Sequence, residues 1–210
     1  MKKILLTTAA LAAISTSAFA EDNQFYLRAD VDGSYFTKFT NKSTSGNSTK
    51  IKQKFAVGGD LGVGYSIMDN VRAELIYTQP FSLKMKGNST AQTRVTVKPT
   101  VRAVFARVHG DVIDLGMGKI FLTGGLGWSQ VKESVSSTSG NSSKSGQKNN
   151  VAWLVGAGVA FDVAEGVHLD IAYNYRGYGK SKARKTATGN TVGGNTFNSN
   201  TGTVGIRFDI

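Results

Sequence analysis

The chain is 210 residues long, carries a formal net charge of +11 and contains no cysteine. The missing cysteine excludes disulfides, thiolate chemistry and cysteine-based metal sites, and the length suits one domain or one barrel with long loops. Its 25 glycines against 2 prolines indicate strands and turns.

The first twenty residues predict export. Lys2 and Lys3 provide a positive start, an apolar stretch runs from Ile4 to Ile14, and Ala18-Phe19-Ala20 offers a small-residue cleavage site. We interpret residues 1–20 as a secretory signal peptide and 21–210 as the mature barrel domain, because the apolar part is too short to span a bilayer. An uncleaved amphipathic N-terminus is the alternative. Export argues against nucleic acid as a partner, although the positive charge would suit one.

Eight stretches alternate apolar and polar residues, which is the periodicity of strands. The predicted strands cover about 24–39, 53–66, 71–84, 94–110, 119–132, 150–162, 167–178 and 204–210. Short turns at 68–70, 111–118 and 163–166 alternate with long polar loops at 40–52, 85–93, 133–149 and 179–195. This organisation predicts an all-β protein, an eight-stranded antiparallel up-and-down transmembrane β-barrel with four long extracellular loops.

The fourth strand contains two features that conflict with a regular ladder. Pro99 interrupts it, and Arg102 shares a face with Val104 and the apolar residues that follow. Since proline cannot donate to a sheet ladder, we predict a bulge or register change near Thr100.

The last strand places Val204, Ile206, Phe208 and Ile210 on one face. An alternating terminal strand with a near-terminal aromatic resembles the recognition signal of bacterial outer-membrane barrels. Those proteins usually end in Phe where this chain has Ile210.

The two faces of the predicted strands differ in composition. The polar face is mostly Gly, Ala, Asp, Arg and Asn, which suits the narrow lumen of eight strands and not the surface of a soluble, lipocalin-like barrel. Aromatics of the apolar face lie near strand ends, as two girdles or, alternatively, as scattered core residues. From Phe25 to Tyr35 the rise is about 25 Å, the height of a lipid-facing band. The loop-side girdle is Tyr35, Phe55, Tyr77, Trp128, Trp153 and Tyr175; the turn-side girdle is Phe25, Tyr65, Phe161 and Phe208.

Inward charges of both signs permit a pore lining or an internal ion-pair plug. Eight strands leave an interior that side chains just fill, so the pattern favours the plug. The predicted inward charges are Arg28, Asp30, Asp32, Asp60, Arg72, Glu74, Arg107, Asp170, Arg176, Arg207 and Asp209.

Catalysis has one candidate constellation. His109 and His168 are each followed two residues later by an aspartate, Asp111 and Asp170, which would share a strand face with the histidine. Such a pair suits a general base, but no motif supplies a nucleophile, so we expect no enzyme. Metal spacing and phosphate-binding loops are absent from the sequence, and we expect no cofactor.

Charge is distributed unevenly along the predicted barrel axis. The acidic residues Asp69, Asp111, Asp114, Asp162 and Glu165 fall at the short turns, and among predicted loop residues only Glu133 is acidic. The loops are basic and supply the candidate ligand-binding residues Lys42, Lys50, Lys84, Lys86, Lys144, Lys148, Lys180, Lys182, Arg184 and Lys185.

The chain resembles the opacity-type, OmpA/OmpX-like small outer-membrane barrels, and within them the surface adhesins of obligate intracellular alphaproteobacteria. The resemblance is carried by Gly62 to Arg72, Val163 to Val167, Tyr175 to Lys180 and Gly205 to Asp209. It implies a location in the bacterial outer membrane with loops at the cell surface. It also implies an adhesin that binds host-surface or serum and matrix glycoproteins.

The sequence therefore predicts a monomeric surface adhesin whose basic loops engage a host protein or glycan. Loop cations would equally pair with phosphates of the surrounding lipopolysaccharide, and both roles can hold. A structural barrel or minor porin without a host ligand is the alternative, and a lipid A-modifying enzyme is the least favoured function.

Overall fold

In the computed structural model, the described residues are 25–37, 39–42, 48–51, 54–80, 85–88, 94–137, 142–144, 147–182, 184–185, 191–192 and 194–210. The predicted signal peptide lies outside them and stays a prediction. Eight long strands form the barrel. They are β1 Phe25–Phe36, β2 Lys54–Met68, β3 Val71–Pro80, β4 Arg94–Asp114, β5 Lys119–Ser137, β6 Lys148–Ala164, β7 Val167–Lys180 and β8 Thr196–Asp209.

Each long strand pairs antiparallel with the next in sequence, and β8 returns to pair with β1. The closing seam runs from Tyr26 opposite Asp209 to Phe36 opposite Ser199. The predicted closed eight-stranded up-and-down barrel is confirmed. The described part of the chain contains no helix long and apolar enough to cross a membrane.

Strand β4 confirms one expectation and corrects another. The predicted register change near Thr100 is present on one edge of β4, where Thr78 pairs with Ala103 but Met85 pairs with Val97, one residue out of step. On the other edge, β4 pairs with β5 without a shift from Val95 to Asp111. Pro99 is tolerated because the β3 ladder reaches only Ala103, so the proline lies beyond that partner strand. A further register shift, which was not predicted, lies between Asp111 and Ile113 on the β5 side, and the strand continues to Asp114 into what we predicted as a turn.

The long loops contain short strands that the sequence analysis did not predict. Strands Phe39–Lys42, Ser48–Ile51, Met85–Asn88 and Ser142–Lys144 extend the barrel sheet beyond β4 and β5. Strands Arg184–Lys185 and Thr191–Val192 form a separate small hairpin. Ser and Thr are compatible with extended backbone, and strand edges at the rim offer free hydrogen-bonding partners.

Side-chain burial alternates along the strands as predicted. In β1, Tyr26, Arg28 and Asp30 are buried, whereas Phe25, Val31 and Tyr35 are exposed on the outer face. The predicted girdle aromatics face outward, and several contact each other across strands. Ring centroids lie 4.7 Å apart for Phe25 and Tyr65, 5.0 Å for Tyr35 and Phe55, and 5.4 Å for Trp153 and Tyr175. The exterior is therefore an apolar band between two aromatic belts.

Candidate functional site

The lumen is filled by charged side chains that face inward from β1, β2, β3, β4, β7 and β8. Among the residues whose side chains the structure describes, five arginines and five carboxylates are buried, so their formal charges cancel. They are Arg28, Arg72, Arg107, Arg176 and Arg207 with Asp30, Asp32, Asp60, Glu74 and Asp170. A balanced, closely paired set is required here, because an unpaired charge in a dry interior costs several kcal/mol.

The lower ionic cluster joins strands that are far apart in sequence. Arg28 on β1 donates to Asp30 at 2.8 Å and to Asp170 on β7. Arg207 on β8 donates to the same Asp170 oxygen at 2.9 Å. Asp170 therefore ties β1 and β8 together through β7.

Glu74 on β3 is the second hub of this cluster. It accepts from the Tyr26 hydroxyl at 2.8 Å and from Arg107 Nε. The Nε2 atom of His109 lies 3.0 Å from its carboxylate. Arg28 also pairs with Glu74 at 3.5 Å, so the two Glu74 oxygens are shared among one hydroxyl, two guanidinium groups and one imidazole.

The upper ionic cluster is centred on Arg176, the largest of the almost fully buried side chains. Its two terminal nitrogens donate to Asp32 and Asp60, each at 2.9 Å. Thr203 donates to the other Asp32 oxygen at 2.7 Å. The arrangement is a guanidinium fork between two carboxylates, a strong geometry for such a pair.

Strands β5 and β6 present small or apolar residues to the lumen, and their glycines make room for the charged side chains. A Cβ on Gly125 would lie 2.8 Å from the Arg107 Cβ, and one on Gly156 would lie 2.3 Å from Asn174 Oδ1. Gly125 is paired with Arg107 and Gly156 with Asn174, so these glycines leave room for the inward side chains of the neighbouring strands.

An apolar layer closes the lumen above the ionic clusters, and the sequence analysis missed it. Phe36, Phe105, Phe197 and Tyr178 are each at most 2% exposed and belong to one cluster. The Tyr178 ring centroid lies 6.1 Å from that of Phe36 and 6.2 Å from that of Phe105. In the sequence these residues occupy the same alternating positions as the inward charged residues, so alternation could have predicted that they face the lumen.

The two histidines do not pair with the aspartates proposed from the sequence. His109 faces Glu74, and Asp111 instead accepts from Arg72 at 2.9 Å. His168 sits at the turn end between two other carboxylates. Its ring nitrogens lie 2.6 Å from Asp162 Oδ1 and 3.0 Å from Asp209 Oδ2.

Each histidine ring therefore lies against carboxylates of other strands or turns, with no nucleophile described beside it. Asp170, the other aspartate proposed as a partner, is held by Arg28 and Arg207. Within the described residues, no group of three or more His, Asp or Glu side chains could hold a metal ion.

The rim at the loop end is basic where its side chains are described. Lys148, Lys180 and Lys182 are exposed there. At the turn end, by contrast, Asp69, Asp114, Asp162 and Glu165 are exposed. The axial charge asymmetry expected from the sequence is therefore present in this part of the molecule.

The remaining predicted binding residues are located only in part. The backbones of Lys42, Lys50, Lys86, Lys144, Arg184 and Lys185 lie in short strands of the loops. Lys84 lies outside the described residues. The binding role of the whole set stays a prediction.

A family model for the outer membrane protein β-barrel domain matches residues 6–208. The chain belongs to this outer-membrane barrel family. A Rickettsia prowazekii (strain Madrid E) protein named as a candidate adhesin is 37% identical, with 100% of both chains aligned. The outer-membrane location and the likeness to adhesins of obligate intracellular bacteria are thereby confirmed.

Solved structures support the same fold. Neisserial surface protein A matches with a TM-score of 0.56 at 19% identity, over 89% of this chain and 97% of that one. The attachment invasion locus protein of Yersinia pestis matches with a TM-score of 0.51 at 15% identity, over 90% of this chain and all of the other. At these identities the comparison with solved structures concerns the barrel alone.

Proposed function

We propose that this outer-membrane barrel is a surface adhesin whose basic loop end binds anionic host glycoproteins or glycans. The observation that carries the proposal is the axial charge separation. Exposed lysines stand at the loop end and exposed carboxylates at the turn end. A cationic rim attracts polyanionic ligands over distances up to a Debye length and so favours encounter at the cell surface.

The relatives add support at the level of the family. Two full-length relatives are named as candidate adhesins, and each alignment covers the whole of this chain, loops included. Specificity would reside in the loops, because loops vary while the barrel beneath them provides a rigid platform.

A minor pore is the less favoured function. Ion pairs occupy the middle of the lumen and an aromatic layer covers them, so the structure supports a closed barrel. We expect the protein to act as a monomer, with the loops of one barrel forming the contact surface.

The test is binding of the refolded barrel to host cells and to immobilised heparin across a salt series. The loop-four variant changes Lys180, Lys182, Arg184 and Lys185 to Gln. The matched control changes Lys42, Lys50, Lys86 and Lys144 to Gln, which removes the same number of charges elsewhere at the loop end. Both variants must show the heat-dependent gel mobility of a folded barrel.

We expect saturable binding that weakens with salt and falls about tenfold or more in the loop-four variant, which corresponds to ~1.4 kcal/mol. The control should fall less. Equal losses of affinity in both variants would show that binding depends on total charge, and would refute the prediction that the loop-four cations form the main contact. An absence of binding at physiological salt would refute the adhesin proposal.

A further inference from the structure

Two cations stand on the outer wall of the barrel, immediately above the apolar band. Arg102 on β4 and Lys132 on β5 are both exposed, and neither belongs to the loop cations discussed above. Arg102 lies opposite Gln130, and Thr100 lies opposite Lys132, so the two cations are diagonal neighbours on one face. Diagonal neighbours lie roughly 7–8 Å apart across a pair of strands.

Their height places them at the edge of the lipid. Val104 pairs with Trp128 on one side and with Tyr77 on the other, within the loop-side girdle. Arg102 is the next outward residue above Val104, a rise of roughly 5 Å for a strand tilted by about 40°. This is the level of lipid headgroups.

The surface between these residues forms two adjoining grooves. The lower groove, about 410 Å³, is lined by Tyr77, Val104 and Trp128 and reaches up to Arg102 and Gln130. The upper groove, about 240 Å³, is lined by Thr100, Arg102, Gln130 and Lys132. An apolar channel therefore leads directly into a cationic, hydrogen-bonding pocket.

The charges of this pocket have no carboxylate partner in the described part of the chain. Among the side chains that the structure describes, no carboxylate forms an ion pair with Arg102 or Lys132. Two cations this close together raise the local positive potential and attract an anion. A ligand that suits both grooves is therefore anionic at the headgroup level and apolar below it.

The geometry points to a phosphorylated lipid of the outer leaflet as the occupant. Its phosphate would lie between Arg102 and Lys132, with Gln130 as a further donor, and one acyl chain would lie along Tyr77, Val104 and Trp128. Arg favours phosphate because its planar fork donates two parallel hydrogen bonds. The inference requires the outer-membrane location but not the adhesin function.

The test uses Trp128 as a local reporter. Trp128 and Trp153 are the only two tryptophans, so W153F leaves Trp128 as the sole indole. The refolded W153F barrel is placed in phosphatidylcholine nanodiscs with increasing fractions of brominated phosphatidic acid, whose headgroup is a phosphate monoester. Brominated phosphatidylcholine is the comparison lipid, and lipid A is the competitor.

We expect phosphatidic acid to quench Trp128 at mole fractions about tenfold lower than phosphatidylcholine, equivalent to ~1.4 kcal/mol. R102Q/K132Q should abolish the difference and R102K/K132R should retain most of it. K148Q/K182Q, which also removes two loop-end charges, should leave it intact. Unlabelled lipid A should relieve the quenching.

Three outcomes would overturn the inference. The first is equal quenching by the two brominated lipids, and the second is a preference that survives R102Q/K132Q. The third is displacement by inorganic phosphate alone at matched concentration, which would show an anion pocket without a lipid. Since both cations are exposed, the variants should fold, and heat-dependent gel mobility checks this.

Discussion

Arg176 offers the sharpest test of the filled lumen. Its side chain and those of Asp32 and Asp60 are each at most 2% exposed, and both carboxylates receive a hydrogen bond of 2.9 Å from it. Arg176→Met keeps much of the side-chain volume but leaves two carboxylates buried next to each other without a cation.

Two independent estimates give the expected loss in the free energy of unfolding of Arg176→Met. Two charge-assisted hydrogen bonds at about 1.5–3 kcal/mol each give a loss of about 3–6 kcal/mol. Breaking a buried ion pair by removing one partner costs about 3–5 kcal/mol. We therefore expect the free energy of unfolding to fall by about 4 kcal/mol, roughly a thousandfold in the equilibrium constant.

The assay is reversible urea unfolding of the refolded barrel in phospholipid vesicles, followed by tryptophan fluorescence and gel mobility. Arg102→Met is the matched control, because it removes an exposed arginine without a described ion pair. It should change stability by less than about 0.5 kcal/mol in vesicles free of phosphate-monoester lipids.

A second variant separates the loss of the Arg176 ion pairs from the cost of leaving two buried carboxylates without their cation. Adding Asp32→Asn and Asp60→Asn to Arg176→Met removes the uncompensated carboxylates, so this triple variant should be more stable than Arg176→Met alone. A loss below about 1 kcal/mol for Arg176→Met, as found for solvated pairs, would refute the dry-lumen reasoning. So would a triple variant less stable than the single one.

Three further predictions concern packing, lipid exposure and conduction. Gly205→Ala should lower the free energy of unfolding by about 1–3 kcal/mol, because its Cβ would lie 1.8 Å from Asp30 Oδ1. Gly124→Ala, with nothing within 4 Å, is the control and should be near neutral in the same unfolding assay. Val31→Arg, midway along the outer face of β1, should lower the free energy of unfolding in a bilayer by about 2–4 kcal/mol. Thr100→Arg, near the rim, should lower it by only about 0–1 kcal/mol. Equal losses would contradict the proposed depth of these positions. In planar bilayers the wild-type barrel should show no stable conductance steps, and reproducible steps would contradict a sealed lumen.

The barrel was predictable because its signal is local. Alternation alone assigns Arg28 and Asp30 to the inner face and Phe25 and Tyr35 to the outer face, and the structure agrees. The expected irregularity near Pro99 is found on one edge of β4, where the register changes between Ala103 and Val97. The sequence could not show that the opposite edge pairs regularly with β5 through the same region, because that depends on the partner strand.

The pairing of charges inside the barrel was not predictable. Alternation places Asp170 inside but does not show that it joins Arg28 and Arg207, because contacts within the lumen depend on the stagger between strands. Sequence neighbours were misleading for the same reason: His109 faces Glu74 on another strand and not Asp111. The loop cations form no sequence motif, so their proposed function is inferred only from their position at the loop end of the barrel.

The closing seam also constrains the order of assembly. The first and last strands meet along eleven residue pairs, so the cylinder cannot shut until β8 has been delivered. Until then Arg28 has Asp30 on its own strand but lacks Asp170, and Asp170 lacks both of its guanidinium partners. Delivery of the last strand therefore completes the hydrogen-bonded seam and the lower ionic cluster together. A barrel without that strand would have unpaired strand edges and a carboxylate without its cations, and both are unfavourable in a membrane.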